Sequence, residues 1–238
     1  LLRDRQPEAI VALPPGVAHQ LRNVLRVRPG EVISLLDDSG AAWEASVDAY
    51  SPGGATARLI VRSEPDVEPR CRVVLYQALP KHRRFEWVLQ KGTELGVSMI
   101  VPLVTEHSDV RPIDRAAGGR LERWQRIVTE AAEQSGRTRL PRVLPVAGLA
   151  EALQPPELGV LALMPYEAER SRSLEEALQP WRAVPPHEAR IVIGPEGGFS
   201  EDEVALARES HWDLVSLGPR VLRVETAVAA LVGRLWGE

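Results

Sequence analysis

The stretch IVIGPEGGFSEDE, residues 191–203, decides the reading of the fold. A β-branched run (Ile191, Val192, Ile193) stops at Gly194-Pro195, and Glu196 with the pair Gly197-Gly198 leads to Ser200, which opens an acidic stretch ending at Glu203. The pattern predicts a buried strand, a tight glycine turn, and a helix start closed by a capping box between Ser200 and Glu203. In an open α/β sheet the carboxyl end of such a strand is where ligands bind. An ordinary strand-to-helix turn reads the same way, so the segment alone names no ligand. It does exclude two loop types. No Lys-Ser or Lys-Thr follows the glycines, as a Walker A loop needs, and the G-x-G-x-x-G spacing of a dinucleotide loop is missing.

Outward from this segment the chain alternates. Short apolar runs at 73–79, 99–104, 159–164, 191–194 and 214–217 read as buried strands. Helical stretches at 85–95, 119–134, 174–178, 200–208 and 227–236 lie between or after them. In 119–134, Leu121, Trp124, Ile127, Val128 and Ala131 share one face, while Arg120, Arg123 and Arg126 lie mostly elsewhere. This alternation implies an α/β fold, a mostly parallel sheet with helices on both faces. Residues 1–68 differ. Strand-like runs at 10–13, 31–36, 42–50 and 56–61 are separated by turn signals such as Pro29-Gly30 and Pro52-Gly53-Gly54. That spacing suggests a small β-barrel. The acidic, proline-bearing segment 64–69 reads as a linker, dividing the chain into domains 1–68 and 69–238.

Composition narrows the function. A chain of 238 residues can bury one large core or two small ones. No run of eighteen apolar residues exists, so no membrane span is expected. No basic amino-terminal segment with an apolar stretch and cleavage site appears, which argues against secretion. Cys71 is the only cysteine and the five histidines are scattered, so neither a disulfide nor a metal is expected. A cytoplasmic location follows as the expectation. The net charge of −4 conceals its distribution. Residues 1–69 carry 7 basic and 10 acidic groups, residues 70–142 carry 14 and 8, and residues 143–238 carry 8 and 15. A phosphate backbone responds to local potential, so the middle third is the expected RNA surface. A solvated helix face would give the same count.

A second loop pairs with the first. SLGPRVLRVETA, residues 216–227, also follows a short apolar strand and precedes an apolar helix. Two glycine-bearing loops after neighbouring strands can enclose a small ligand. With QKGTELGV (90–97), EAAEQSGR (130–137) and NVLRVRPGE (23–31), they form an ordered set over nearly the whole chain. The set resembles the ribosomal RNA small subunit methyltransferase E family of the SPOUT superfamily. That resemblance implies a trefoil-knot methyltransferase domain preceded by a PUA-like RNA-binding barrel. It also implies S-adenosylmethionine as cofactor, 16S ribosomal RNA of the small subunit as partner, and a homodimer. No metal is needed, because methyl transfer is a one-step displacement at carbon. The family reaction is methylation of N3 of one uridine. Nothing in periodicity shows the knot, whose base rate is very low.

The residues can be assigned to that chemistry. Gly194, Gly197, Gly198 and Gly218 allow close backbone approach to a cofactor, since a Cβ would block it. Leu163, Ile193, Leu217 and Leu222 are candidate apolar walls, with Met164, Pro195 and Ser216 beside them. By the resemblance, Met164-Pro165-Tyr166 forms a third loop. The N3 imide carries a proton on the pairing edge, so the base must be unpaired or flipped and the proton must leave. Arg223 is the candidate that favours the uracil imidate, and Glu225 the one that orients Arg223 or accepts the proton. A structural ion pair between them is the plainer alternative. Glu196, near a helix start, reads as structural rather than catalytic. Candidate RNA contacts are Arg22 and Arg26, Lys81 and Arg83 in a basic loop, and Gln134 and Arg137 at a helix end. For the last pair, a helix C-cap at Gly136 is the alternative.

Two departures from the family pattern stand out. Gly92 occupies a position that is often alanine, which weakens a helix by about 1 kcal/mol. His107-Ser108 replaces the usual Arg-Ser pair; if that arginine normally meets RNA, His107 would weaken the contact or make it depend on pH. Two other readings stay open: a ribose 2′-O-methyltransferase of the same superfamily, and a catalytically idle RNA-binding protein.

Overall fold

The structure is a computed structural model that describes residues 2, 4–81, 84–108 and 118–235. The chain divides between Glu68 and Pro69 into two compact units.

The first unit contains β1 (Ile10–Leu13), α1 (Pro15–His19), one π-helical turn (Gln20–Val24), β2 (Val32–Leu36), β3 (Ala42–Ser51) and β4 (Gly54–Ser63). The strands form an antiparallel sheet in the order β1-β4-β3-β2. Period-two alternation explains its core: Trp43, Ala45 and Val47 of β3 and Ala55, Ala57 and Leu59 of β4 are all buried. Ala18 and Leu21 cover that face from the helical segment. Among the described residues β1 and β2 form the two edges and do not pair with each other.

The second unit is α/β. Its elements are β5 (Arg72–Ala78), α2 (Arg84–Glu94), β6 (Met99–Val104), α3 (Gly118–Ser135), β7 (Arg142–Val143), β8 (Ala147–Gly148), α4 (Leu149–Ala152), β9 (Val160–Pro165), α5 (Leu174–Leu178), β10 (Glu188–Ile193), α6 (Glu201–Glu209), β11 (Asp213–Val215) and α7 (Val224–Leu235). The sheet order is β11-β9-β10-β5-β6-β7, with β8 also on β6, and every pairing is parallel. Side-chain alternation sends Val73, Leu75, Leu161, Leu163, Ile191 and Ile193 to a core shared with α2, α3, α5 and α7. Val74, Ala162, Met164 and Val192 go to the opposite core, closed by α4 and α6. Both faces are therefore covered, as a parallel sheet requires. No described helix is long and apolar enough to cross a membrane.

Several elements begin earlier than the sequence pattern predicts, β10 and α7 by the most. β10 starts at Glu188 rather than at the apolar run beginning with Ile191. Charged residues concealed those positions, but the Glu188 carboxylate accepts from Arg72 (2.7 Å) and Arg190 (2.6 Å) and lies in the β5 ladder opposite Arg72. α7 begins at Val224 rather than Ala227, because buried Val224 anchors the turn that Glu225 and Thr226 complete. The predicted end of this helix at Trp236 lies outside the described residues.

Gly92 is buried inside α2, and a Cβ there would meet Val97, Ile100 and Leu75 side chains at 3.6–3.8 Å, ordinary van der Waals distances. Gly92→Ala should therefore stabilise the protein by about 0.5–1 kcal/mol through helix propensity. A urea unfolding midpoint at or below that of the parent would contradict this.

Candidate functional site

The strand order creates the site. From β5 the chain proceeds outward through β6 and β7, then returns so that β10 lies between β9 and β5. α2 follows β5 on one face and α6 follows β10 on the other. Loops leaving adjacent strands in opposite directions open a crevice at their carboxyl ends. A cavity of about 490 Å³ lies at this edge. Its walls come from the end of β9 and the loop after it (Pro165, Tyr166, Glu167) and from the loops after β10 (Gly194 to Phe199) and after β11 (Leu217, Gly218, Arg220 to Arg223). Arg84 at the start of α2 and Ala227 in α7 complete it. The volume is that of a small-molecule pocket.

The β10 loop is held from several sides. Gly198 has φ +71°, a left-handed conformation that glycine tolerates best, and its amide donates to the Pro195 carbonyl (3.0 Å). A Cβ on Gly194 would press on the Phe199 ring at 3.0 Å, and one on Gly197 would lie 2.9 Å from the His107 Cβ. His107 Nδ1 donates to the Gly198 carbonyl (3.2 Å). The Glu196 carboxylate accepts from the Lys81 amide (3.1 Å) and from Arg84 (3.2 Å), joining this loop to the chain after β5. Ser200 and Glu203 form the capping box read from the sequence, and the second Glu203 oxygen accepts from the Glu106 amide (2.8 Å). Below the loop, the fully buried Gln77 amide donates to the carbonyls of Ala78 (2.8 Å) and Ile193 (3.3 Å).

Most of the sequence-derived pocket residues meet here. Ile193, Gly194, Pro195, Gly197, Gly198, Leu217, Gly218, Leu222 and Arg223 all line the cavity. Leu163 and Met164 are corrections. Both are fully buried and lie in the two cores, because strand alternation turns them onto the faces of the sheet. Ser216 also lies outside the lining. It fixes the β11 loop instead: its amide donates to Arg172, its carbonyl accepts from Leu174, and its hydroxyl accepts from the Gly218 amide (3.3 Å). Arg223 is exposed at the cavity wall. The considered Arg223–Glu225 ion pair is not formed among the described residues, and the Glu225 Oε2 is buried without a hydrogen-bond partner.

The expected RNA contacts fare unevenly. Lys81 and Gln134 are exposed in the second unit, and Arg22 and Arg26 are exposed in the first. Arg22 lies over the Tyr50 ring at 5.7 Å. Arg83 is outside the described residues. Arg137 is a correction. Its side chain is buried, and the guanidinium donates to the carbonyls of Thr93 and Val97 at the end of α2, which removes it from any phosphate contact. Gly136, at φ +72°, closes α3 as the C-cap alternative anticipated. His107, considered as a weakened RNA contact, lies against the glycine loop. Sequence reasoning missed Glu167 and Gln77, for which no motif gave a signal, and gave no role to Arg220 although it lies within the 216–227 loop.

Comparison with known proteins agrees with this geometry. A family model described as RNA methyltransferase domain matches residues 67–236. The chain is 36% identical to the ribosomal RNA small subunit methyltransferase E of Synechocystis sp., over 96% of this chain and 73% of the relative. It is 33% identical to the enzyme of that name from Bacillus subtilis, over 88% of this chain and 82% of the relative. The crystal structure of the Neisseria gonorrhoeae enzyme of that name, bound to S-adenosyl methionine, superposes with a TM-score of 0.87 at 35% identity, covering 99% of this chain and 94% of that one.

Proposed function

Because this chain belongs to the ribosomal RNA small subunit methyltransferase E family, we propose that it uses S-adenosylmethionine to methylate N3 of one uridine in 16S ribosomal RNA. The observation that carries the reading is the cavity bounded by three strand-end loops. The glycine turn lines this cavity, and Ile193, Leu217 and Leu222 offer apolar walls for an adenine. The relative solved with S-adenosyl methionine supports the same cofactor.

In this reading the second unit is a SPOUT trefoil-knot domain and the first a PUA-like RNA-binding barrel. Arg22 and Arg26 on the first unit, with Lys81, Arg83 and Gln134 on the second, hold RNA phosphates. The enzyme works in the cytoplasm as a homodimer. Thr226, Ala230 and Gly233 on the exposed side of α7 are small enough for a close helix contact.

When bound, the cofactor supplies an electrophilic methyl group for displacement at carbon. The protein's task is to make N3 nucleophilic. Arg223 at the wall stabilises the uracil imidate by placing positive charge beside its oxygens, an electrostatic contribution of the oxyanion-hole kind. Glu225, two residues after Arg223, is assigned the N3 proton; its Oε2 is buried without a partner and the residue lies outside the cavity lining, so the proton reaches it only if the loop rearranges. The products are 3-methyluridine, S-adenosylhomocysteine and a proton. Glu196, engaged by Lys81 and Arg84, holds the loop in place.

The deciding experiment is methylation of small ribosomal subunits that lack the modification, read by primer extension. A cofactor-dependent stop at one uridine is expected, because a methyl on N3 blocks base pairing. Methyl incorporation without a stop would instead favour a ribose 2′-O-methyltransferase, and tight RNA binding without incorporation a non-catalytic binder. Arg223→Ala should leave cofactor affinity within a few-fold and lower methyl transfer by about 100-fold or more. Turnover near that of the parent would remove Arg223 from the mechanism. Gly198→Val forces a β-branched residue into the left-handed region and should abolish cofactor binding in a protein that remains folded. Unchanged binding by calorimetry would refute the loop assignment.

A further inference from the structure

Five charged side chains line the cavity: Arg84, Glu167, Glu196, Arg220 and Arg223. Arg84 and Glu196 neutralise each other at 3.2 Å. Of the other three, two are arginines. S-adenosylmethionine carries positive charge on its sulfonium and on its ammonium group. A wall whose only uncommitted charges were arginines could hold the cofactor's carboxylate but would repel both of its positive groups.

Glu167 removes that conflict. It is exposed in the loop after β9, and among the described residues its carboxylate makes no hydrogen bond and no ion pair. Only its main-chain carbonyl is used, by Arg170, whose guanidinium also donates to the Glu169 carbonyl. The nearby arginine is thus occupied by backbone and leaves the acid free. The carboxylate lies against the β10 loop: a Cβ on Gly198 would stand 2.7 Å from Glu167 Oε1 and 3.6 Å from Oε2. The carboxylate of this exposed residue therefore lies against the glycine turn.

We propose that Glu167 is the counter-charge that recognises the positive end of the cofactor, and so a specificity-determining residue of the pocket. This rests on the cofactor reading given above. If the charge recognised is the sulfonium, recognition ends with the reaction, since loss of the methyl group leaves a neutral thioether and the attraction that held the reactant no longer holds the product.

Calorimetric titration of the full chain with S-adenosylmethionine and with S-adenosylhomocysteine tests this. Glu167→Gln keeps the shape and removes the charge. Its affinity for S-adenosylmethionine should fall about tenfold or more, the usual scale for losing a charge-assisted contact. The loss should shrink as salt rises. Unchanged S-adenosylhomocysteine affinity would assign the contact to the sulfonium, and an equal loss for both would assign it to the ammonium. Either supports the proposal. Glu167→Asp should recover part of the affinity. Thermal unfolding should match the parent for both variants, because the carboxylate bonds to nothing in the fold. Affinities for both ligands within twofold of the parent would overturn the role of Glu167 while leaving the cofactor reading intact. Absence of S-adenosylmethionine binding by the parent protein would overturn that reading and this proposal together.

Discussion

A parallel sheet stays dry only if both of its faces are covered, and strict side-chain alternation does this for the second unit. Leu75 and Ile191 face one set of helices, while Val74 and Val192 face the other. With both faces consumed, the strand ends are left for chemistry. The placement of β10 between β9 and β5 then sets loops of opposite sense side by side. The cavity, the glycine turn and the flanking arginines all follow from that arrangement. The crevice is also held in shape from beneath, where Gln77 bridges the ends of β5 and β10.

Much of this fold is legible in the sequence because buried parallel strands are short continuous apolar runs. Met99–Val104 and Leu174–Leu178 appear with the bounds the pattern indicates. The pattern fails where charge enters an element. Glu188 and Arg190 look like loop residues, yet with Arg72 they form a mutually satisfied cluster along the ladder. Their partner lies 116 residues away in the chain, beyond the reach of any local window.

The candidate site divides the same way. Glycine loops announce themselves, and nine of the expected pocket residues line the cavity. Leu163 and Met164 were misread because sequence places them at a strand end without saying which way they face. Arg137 was misread because exposure is the rule for arginine. Here the carbonyls of Thr93 and Val97 at a helix end supply acceptors that make burial tolerable. Glu167 belongs to no motif, and its position over Gly198 emerges only when the loops after β9 and β10 are brought together.

The loop after β6 makes one hydrogen bond to the loop after β10 and one to the first turn of α6, which that loop leads into. Glu203 caps its own helix with one carboxylate oxygen and takes the Glu106 amide with the other, and His107 donates to the Gly198 carbonyl. Opening the loop after β6 breaks both links, which couples its local unfolding to that of the glycine turn and the start of α6. A ligand that binds only the closed form suppresses excursions in both. The amide of Glu106, outside the cavity lining, would then report through slower hydrogen exchange on the occupancy of a pocket it never touches.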